Sequence, residues 1–308
     1  MPNANAKATV MFLGTGTSEG IPRVTCLTAD PPTCLVCTDA MRPGSKNRRR
    51  NTGIVIQREQ TDGPPVNILI DAGKFFYQAA IEWFPKHAIR TIDAVVLTHA
   101  HADSAGGLDD LRDWTNMMRF ASGDEHAALL ARGRDARIPI FLREQDLDIV
   151  SKTAYYLVDR TQMTSGGTVA ILDFQTFCEK PIDIFGTSVI PLPVPHGPDY
   201  SCNGYRIGDF AYISDASEVP DSVMAQISDV DTLVIDALRT KRTHGSHLTM
   251  EQAVGYAKII RPRRTFLTDA AHGIDHYGMN ARLRDPEFND GLDIQYAYDG
   301  MSIEIRAD

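Results

Sequence analysis

Within five residues, His99, His101 and Asp103 place two imidazoles and a carboxylate directly after the apolar run Ala94–Leu97. Alternate positions on an extended segment point the same way, so both rings can reach one metal ion. His196, in Pro193-Val194-Pro195-His196-Gly197, and Asp215, closing Phe210-Ala211-Tyr212-Ile213-Ser214-Asp215, are further candidates at strand ends. Asp269 closes Thr265-Phe266-Leu267-Thr268-Asp269, which echoes Val95-Val96-Leu97-Thr98-His99: an apolar run, a threonine, then a potential ligand. Nitrogen and oxygen donors of these kinds suit a bound metal ion. His247, with His244 as the weaker member of the pair, stands before a predicted helix. Cys34 and Cys37 have a CxxC spacing that suits thiolate ligation, with Cys26 close by. The competing readings are surface histidines in a turn, a strand-end carboxylate bound to a backbone amide, a histidine at a helix cap, and unligated thiols.

The elements that must carry these residues are read from periodicity and turn chemistry. Strands are expected at Thr9–Leu13, Ile54–Ile56, Val66–Ile70, Ala94–Leu97 and Ile138–Leu142. More follow at 168–174, 182–185, 187–194 and 232–236, at Thr265–Leu267, and near 293–298 and 301–306. Gly204–Ile207 and Phe210–Ile213 read as a hairpin around Gly208-Asp209, and Pro191, Pro193 and Pro195 mark an edge or a strand end. Helices are expected at Phe75–Phe84, at 107–119 opened by Gly106-Gly107, at Glu144–Val158 and at 248–260, with His247 at the N-cap of the last. Residues 23–52 read as a long irregular segment that needs a tether or a function. Ala121–Arg137 has no clear pattern, and Gly166-Gly167 reads as a loop. The glycines from Gly14 to Gly20 are spaced GxGxxxG and lead to Pro22, not to a helix. They favour close backbone approach over a nucleotide cradle. Strands first in meanders and later alternating with helices give a sandwich of sheets covered by helices, as one domain over residues 1–308.

The 308 residues are 43% hydrophobic and 23% charged, as in a globular protein, and the net charge of −9 disfavours general nucleic-acid binding. No apolar run approaches the roughly 20 residues of a membrane span, and the first residues lack the apolar core of a secretory signal. Five cysteines are too few for a disulfide framework, so a cytoplasmic setting is expected. Arg48-Arg49-Arg50 reads as a solvated face, with phosphate contact as the competing reading.

HxHxD after a strand, a later His, a strand-end Asp and a late Thr-led ligand position resemble the ordered motifs of the metallo-β-lactamase superfamily. Gly14-Thr15-Gly16-Thr17-Ser18-Glu19-Gly20-Ile21-Pro22, the cysteine cluster and Asn47-Arg48-Arg49-Arg50-Asn51-Thr52 narrow the resemblance. They are similar to the branch holding the phosphoribosyl cyclic phosphate phosphodiesterase and, more distantly, the tRNA 3′-processing endonucleases. The resemblance implies an αββα four-layer sandwich and a Zn²⁺ site of His99, His101 and His196 bridged by Asp215. It also implies a second site using Asp103, Asp215 and position 269. There the family's imidazoles are replaced by Ser104 and Asp269, so a harder ion such as Mn²⁺ or Mg²⁺, or none, is expected. Cys26, Cys34 and Cys37 with His272 resemble the branch's structural zinc cluster, and His247 matches the histidine that protonates the leaving oxygen.

The expected activity is therefore hydrolysis of a small phosphodiester, such as a cyclic one, by a metal-bound hydroxide, with Asp103 orienting or deprotonating the water. A carboxylic ester, thioester or lactone is the alternative substrate class, and a non-catalytic metal-binding scaffold is the third reading.

Overall fold

The computed structural model describes residues 7–61, 63–120, 137–159, 161 and 168–307. The strands are β1 (Lys7–Gly14), β2 (Gly53–Arg58), β3 (Val66–Ile70), β4 (Ala94–Val96), β5 (Ile138–Leu142) and β6 (Leu172–Thr176). They continue with β7 (Ile182–Ile184), β8 (Thr187–Pro195), β9 (Ser201–Ile207), β10 (Phe210–Ile213), β11 (Thr232–Asp236), β12 (Arg264–Thr268), β13 (Ile294–Tyr296) and β14 (Ser302–Arg306). Two seven-stranded sheets result, ordered β14-β1-β2-β3-β4-β5-β6 and β13-β12-β11-β10-β9-β8-β7. Each sheet is antiparallel on one side and parallel on the other, β3 to β6 in the first and β10 to β13 in the second. Ligand-bearing loops in such parallel sheets leave from the carboxyl ends of the strands.

Side chains alternate across a strand, and here both faces are apolar, so each sheet is covered twice. Val10, Phe12, Ile54, Ile56, Ile68 and Val96 point between the sheets and meet Tyr205, Phe210, Tyr212, Val234 and Phe266. Met11, Val55, Leu69 and Val95 point the other way, onto Phe76, Ala80 and Phe84 of the helix Phe76–Trp83 and the residue after it. In the second sheet Ala211, Ile213, Leu233 and Ile235 pack on Ala253, Val254 and Ala257 of the helix Met250–Ile260. The architecture is the αββα sandwich.

Most strands fall where periodicity puts them. β8 has β7 beside it only over Thr187–Val189, so Pro191 and Pro193 sit where the strand has a neighbour on one side and a missing N–H can face the open side. Three helical expectations change. The chain does not wait for Gly106-Gly107: it turns helical at Ala102–Ala105, with Asp103 in that turn, tightens at Leu108–Leu111 and becomes a regular helix at Arg112–Phe120. The helix read at Glu144–Val158 breaks at Ala154 into Glu144–Thr153 and Tyr155–Val158. His276–Leu283 and Pro286–Asn289 are helices that periodicity misses, yet each opens on a capping aspartate, Asp275 and Asp285. Residues 121–136 and Gly166-Gly167 lie outside the described residues.

The segment 23–52 is less irregular than its composition suggests. It holds the helical turns Val24–Leu27 and Leu35–Asp39 around a small core of Ile21, Val36, Cys37 and Ala40. Asp39 ties its end down, accepting from Ser45 Oγ at 2.5 Å and Asn47 Nδ2 at 3.0 Å. Arg49 departs from the expected solvated face. It is 1% exposed and bridges backbone to backbone with Ile21, its guanidinium under the carbonyl of Ala271 at 3.5 Å.

Candidate metal centre

His99, His101 and His196 each present a nitrogen within 4.8 Å of the others. The buried His99 is fixed by a chain of hydrogen bonds that starts at the end of β3. Asp71 accepts from the Thr98 backbone N–H at 2.8 Å and from Thr98 Oγ1 at 2.7 Å. Because the Thr98 hydroxyl proton is committed to Asp71, its oxygen is left to accept from His99 Nδ1 at 2.9 Å, and Ser104 Oγ adds a contact at 3.2 Å. This assigns the proton to Nδ1 and leaves a lone pair on Nε2, which is buried and has no hydrogen-bond partner among the described residues. His196 is set the same way, its Nδ1 donating to the Ser246 carbonyl at 3.0 Å. Burial lowers the pKa of His99 to about 3 and that of His196 downward, helped by the neighbouring imidazoles, so both are neutral donors at neutral pH. Two nitrogens aimed into one space with no proton to give fit a zinc-like ion.

Tyr200 walls this cluster, its ring centroid 5.1 Å from that of His101. Its hydroxyl accepts from the Ala100 amide at 3.2 Å and donates to Asp146 at 2.6 Å, which Arg143 holds at 2.7 Å. Tyr200, Asp71 and Asp236 are supporting residues that pattern reading missed. Asp71 and Asp236 carry the signal that drew attention to Asp215, a carboxylate ending an all-buried strand.

The carboxylates gather beside the histidines. Asp103 Oδ1 lies 4.0 Å from His99 Nε2. Burial and the nearby Asp215 push the Asp103 carboxyl up. For Asp215, burial acts the same way, but His99, His247 and His196 outweigh it and hold the carboxylate below its ordinary value. Asp215, His196 and His247 form a second group of donor atoms within 4.8 Å, and Asp236, His247 and Asp269 form a third. His247 Nδ1 lies 3.1 Å from Asp236 Oδ2 and 3.0 Å from Asp269 Oδ2. Burial opposes its charge, but the two carboxylates prevail and the imidazolium pKa is pushed up to about 12. Asp269 thus faces His247 and Asp236, outside the group of three histidines. His247 is not the helix cap: Thr249 is, in a reciprocal capping box with Gln252.

The cysteines are all free, and three of them converge. His272 Nδ1 lies 3.4 Å from Cys26 Sγ, 3.5 Å from Cys34 Sγ and 3.9 Å from Cys37 Sγ. A tetrahedral zinc with ordinary bond lengths separates sulfur and nitrogen ligands by roughly 3.6 Å, so this quartet fits one ion. His272 is three residues from Asp269, so the quartet anchors the loop that carries it.

Close backbone packing brings the parts together. A Cβ on Gly73 would collide with the Asp103 carbonyl oxygen, and one on Gly107 with that of Gly73. The second sheet adds the bridge Gly16–Ala270, which sets the glycine loop beside Asp269.

The fold and this arrangement define a metallo-hydrolase scaffold, and the chain belongs to the beta-lactamase superfamily, whose domain model matches residues 66–269. A diphosphatase of the PhnP family is 30% identical in sequence, with a TM-score of 0.76 over 97% of this chain and 98% of that one. An octanoyltransferase of Porphyromonas gingivalis (strain ATCC BAA-308 / W83) is 26% identical over 299 residues, 96% of this chain and 53% of that protein, so the chain spans about half its length. Two structures share the fold at lower identity. Zn²⁺-bound PqqB from Methylobacterium extorquens has a TM-score of 0.68 at 18% identity, covering 96% and 100% of the two chains. Human tRNase Z, short form, has a TM-score of 0.56 at 16% identity, covering 96% and 98%. No helix among the described residues is long and apolar enough to cross a membrane.

Proposed function

We propose that the protein hydrolyses a small phosphodiester. The observation that carries this reading is the pair of His247 and Asp236 beside the histidine cluster, with the His247 ring 5.0 Å from that of His196. A phosphodiester expels an alkoxide, a poor leaving group that needs a proton. His247, kept cationic by Asp236 and Asp269, is a general acid in place. An ester or lactone carbonyl has less need of one.

His99, His101 and His196 would hold Zn²⁺ with Asp215 at its edge, and that ion would lower the pKa of its water and offset charge in the transition state. Asp103, its carboxyl raised by burial and by Asp215, is suited to orient that water and accept its proton. A second ion held by Asp103, Asp215 and Asp269 would meet oxygen donors, which suit Mn²⁺ or Mg²⁺ better than a second zinc, although Asp269 stands with His247 and Asp236 in the structure. Cys26, Cys34, Cys37 and His272 would hold a structural Zn²⁺. The diphosphatase relative supports phosphorus chemistry. Free cysteines support a reducing, cytoplasmic setting.

The octanoyltransferase relative favours a second reading, hydrolysis of an acyl ester or thioester. The two separate on one comparison. Turnover of bis(p-nitrophenyl) phosphate and of a p-nitrophenyl ester is measured for the wild type and for His247→Ala, with Zn²⁺, Mn²⁺ or Mg²⁺ added. The phosphodiester reading expects diesterase activity that is much reduced in the variant; ester turnover indifferent to His247, with no diesterase activity, would replace it.

A further inference from the structure

We propose that a cavity behind the glycine loop, lined by Lys46, Arg48, Arg50, Trp83 and Tyr298, is a binding site for a phosphate group. The cavity holds about 110 Å³, room for a single oxyanion. Three cations line it on a chain whose net charge is −9. Two of its donors, Arg50 Nη1 and Trp83 Nε1, are buried without a hydrogen-bond partner among the described residues. Buried N–H groups without an acceptor are costly, so a ligand with acceptor oxygens is favoured there.

The two carboxylates that line the cavity do not meet this demand. Glu82 is paired with Arg50 Nη2 at 2.5 Å. Asp299 accepts from Thr15 Oγ1 at 2.9 Å and from the Arg50 backbone N–H at 2.8 Å, while Arg50 Nη1 stands 3.6 Å away, beyond hydrogen-bond reach. At the rim, Lys46 and Arg48 are half-buried and make no ion pair among the described residues; Lys46 Nζ rests 4.0 Å above the Tyr298 ring and Arg48 spends only its Nε on the Ala40 carbonyl. Arginine donors, an indole N–H and an ammonium together match the several acceptor oxygens of a phosphate, whether free or on a small metabolite. Within the arginine triplet, Arg49 is thus a buried brace, whereas Arg48 and Arg50 face a ligand.

The indole N–H of Trp83 reports directly on the site, and Trp114 is the one other tryptophan. The uniformly ¹⁵N-labelled protein is titrated with inorganic phosphate, with glucose 6-phosphate and, at matched ionic strength, with chloride. Trp83→Phe assigns the resonance. Saturable movement of the Trp83 indole signal with phosphate but not chloride is expected, weakened at least about tenfold by Lys46→Ala or Arg48→Ala. Tighter binding of the sugar phosphate would place the natural phosphate on a metabolite, and tighter binding of inorganic phosphate would make it the free ion. A Trp83 signal that stays still, or rim variants that bind as tightly as the wild type, would overturn the proposal. None of these residues belongs to the metal centre, so the outcome is independent of the diesterase reading.

Discussion

The Nδ1 atom of His247 lies 3.1 Å from Oδ2 of Asp236, the residue that ends β11. The same carboxylate oxygen accepts from the amides of Ala216 and Leu248 at 3.1 and 3.2 Å, so it is fixed by the backbone of two loops. Asp269 reaches His247 from the end of β12, and a group that could be a mobile surface imidazole is held as a cation beside His196.

That relationship sets a pH dependence. Removing the charge of Asp236 lessens the stabilisation of the imidazolium, so the His247 pKa must fall from its position near 12. In Asp236→Asn the alkaline limb of the kcat profile for a diester is expected to move down by about one pH unit or more. His247→Ala is expected to abolish that limb and lower kcat by roughly 10²- to 10⁴-fold. Rates measured from pH 6 to 11 check both: the wild type is expected to hold its rate to the top of that range, whereas Asp236→Asn begins to lose it there, and a profile unchanged by Asp236→Asn would remove His247 from the role of acid.

The link from Asp71 through Thr98 to His99 predicts a loss of metal affinity without a change of ligand. Thr98→Val deletes the hydroxyl that accepts from His99 Nδ1, and zinc affinity at the histidine cluster is expected to weaken by about 10- to 100-fold. Competition with a chromophoric chelator gives the number. Affinity equal to wild type would show that Ser104 alone orients the ring.

The cysteine quartet predicts a stability effect separable from catalysis. Cys34→Ser is expected to reduce bound zinc by one ion per chain and to lower the melting temperature, because metal binding there contributes to folding. The His99→Ala variant should keep that zinc. Zinc content unchanged in Cys34→Ser would mean that these thiols hold no ion.

Gly73→Ala tests the approach of the β3 loop to the HxHxD segment. The added methyl meets the Asp103 carbonyl oxygen, a backbone atom that cannot move without moving the ligands. Stability is expected to drop by about 3 kcal/mol or more, with loss of metal at the histidine cluster. Denaturant unfolding and metal analysis together would show it, and a fully stable, metal-replete variant would contradict the packing.

Strands and the sandwich were readable from the chain because short, nearly continuous apolar runs such as Val66–Ile70 and Phe210–Ile213, bounded by turn residues, suit strands buried on both faces. His99, His101 and His196 stood out because imidazoles at strand ends are uncommon in such runs. Asp236 and Asp71 share the placement of Asp215, but a strand-end carboxylate alone does not reveal whether it faces an amide, a histidine or a metal. The position of Asp269 was equally hidden. Its local echo of His99 suggests an equivalent ligand, whereas its actual surroundings depend on where the loop before Met250 delivers His247, a contact between residues 22 apart in sequence. Arg49 was misplaced for the same reason: a run of arginines describes charge, and only the backbone bridge to Ile21 reveals which of the three turns inward.

The central claim is that a metal held by His99, His101 and His196 drives hydrolysis of a phosphodiester. The most direct measurement is turnover of bis(p-nitrophenyl) phosphate by the full chain before chelation, after chelation and after return of Zn²⁺ or Mn²⁺, alongside His196→Ala. The account predicts activity that chelation abolishes and metal restores, and a loss of at least about 10²-fold in the variant. Metal-loaded protein that binds its ion tightly yet turns over no diester with any of these metals would contradict it.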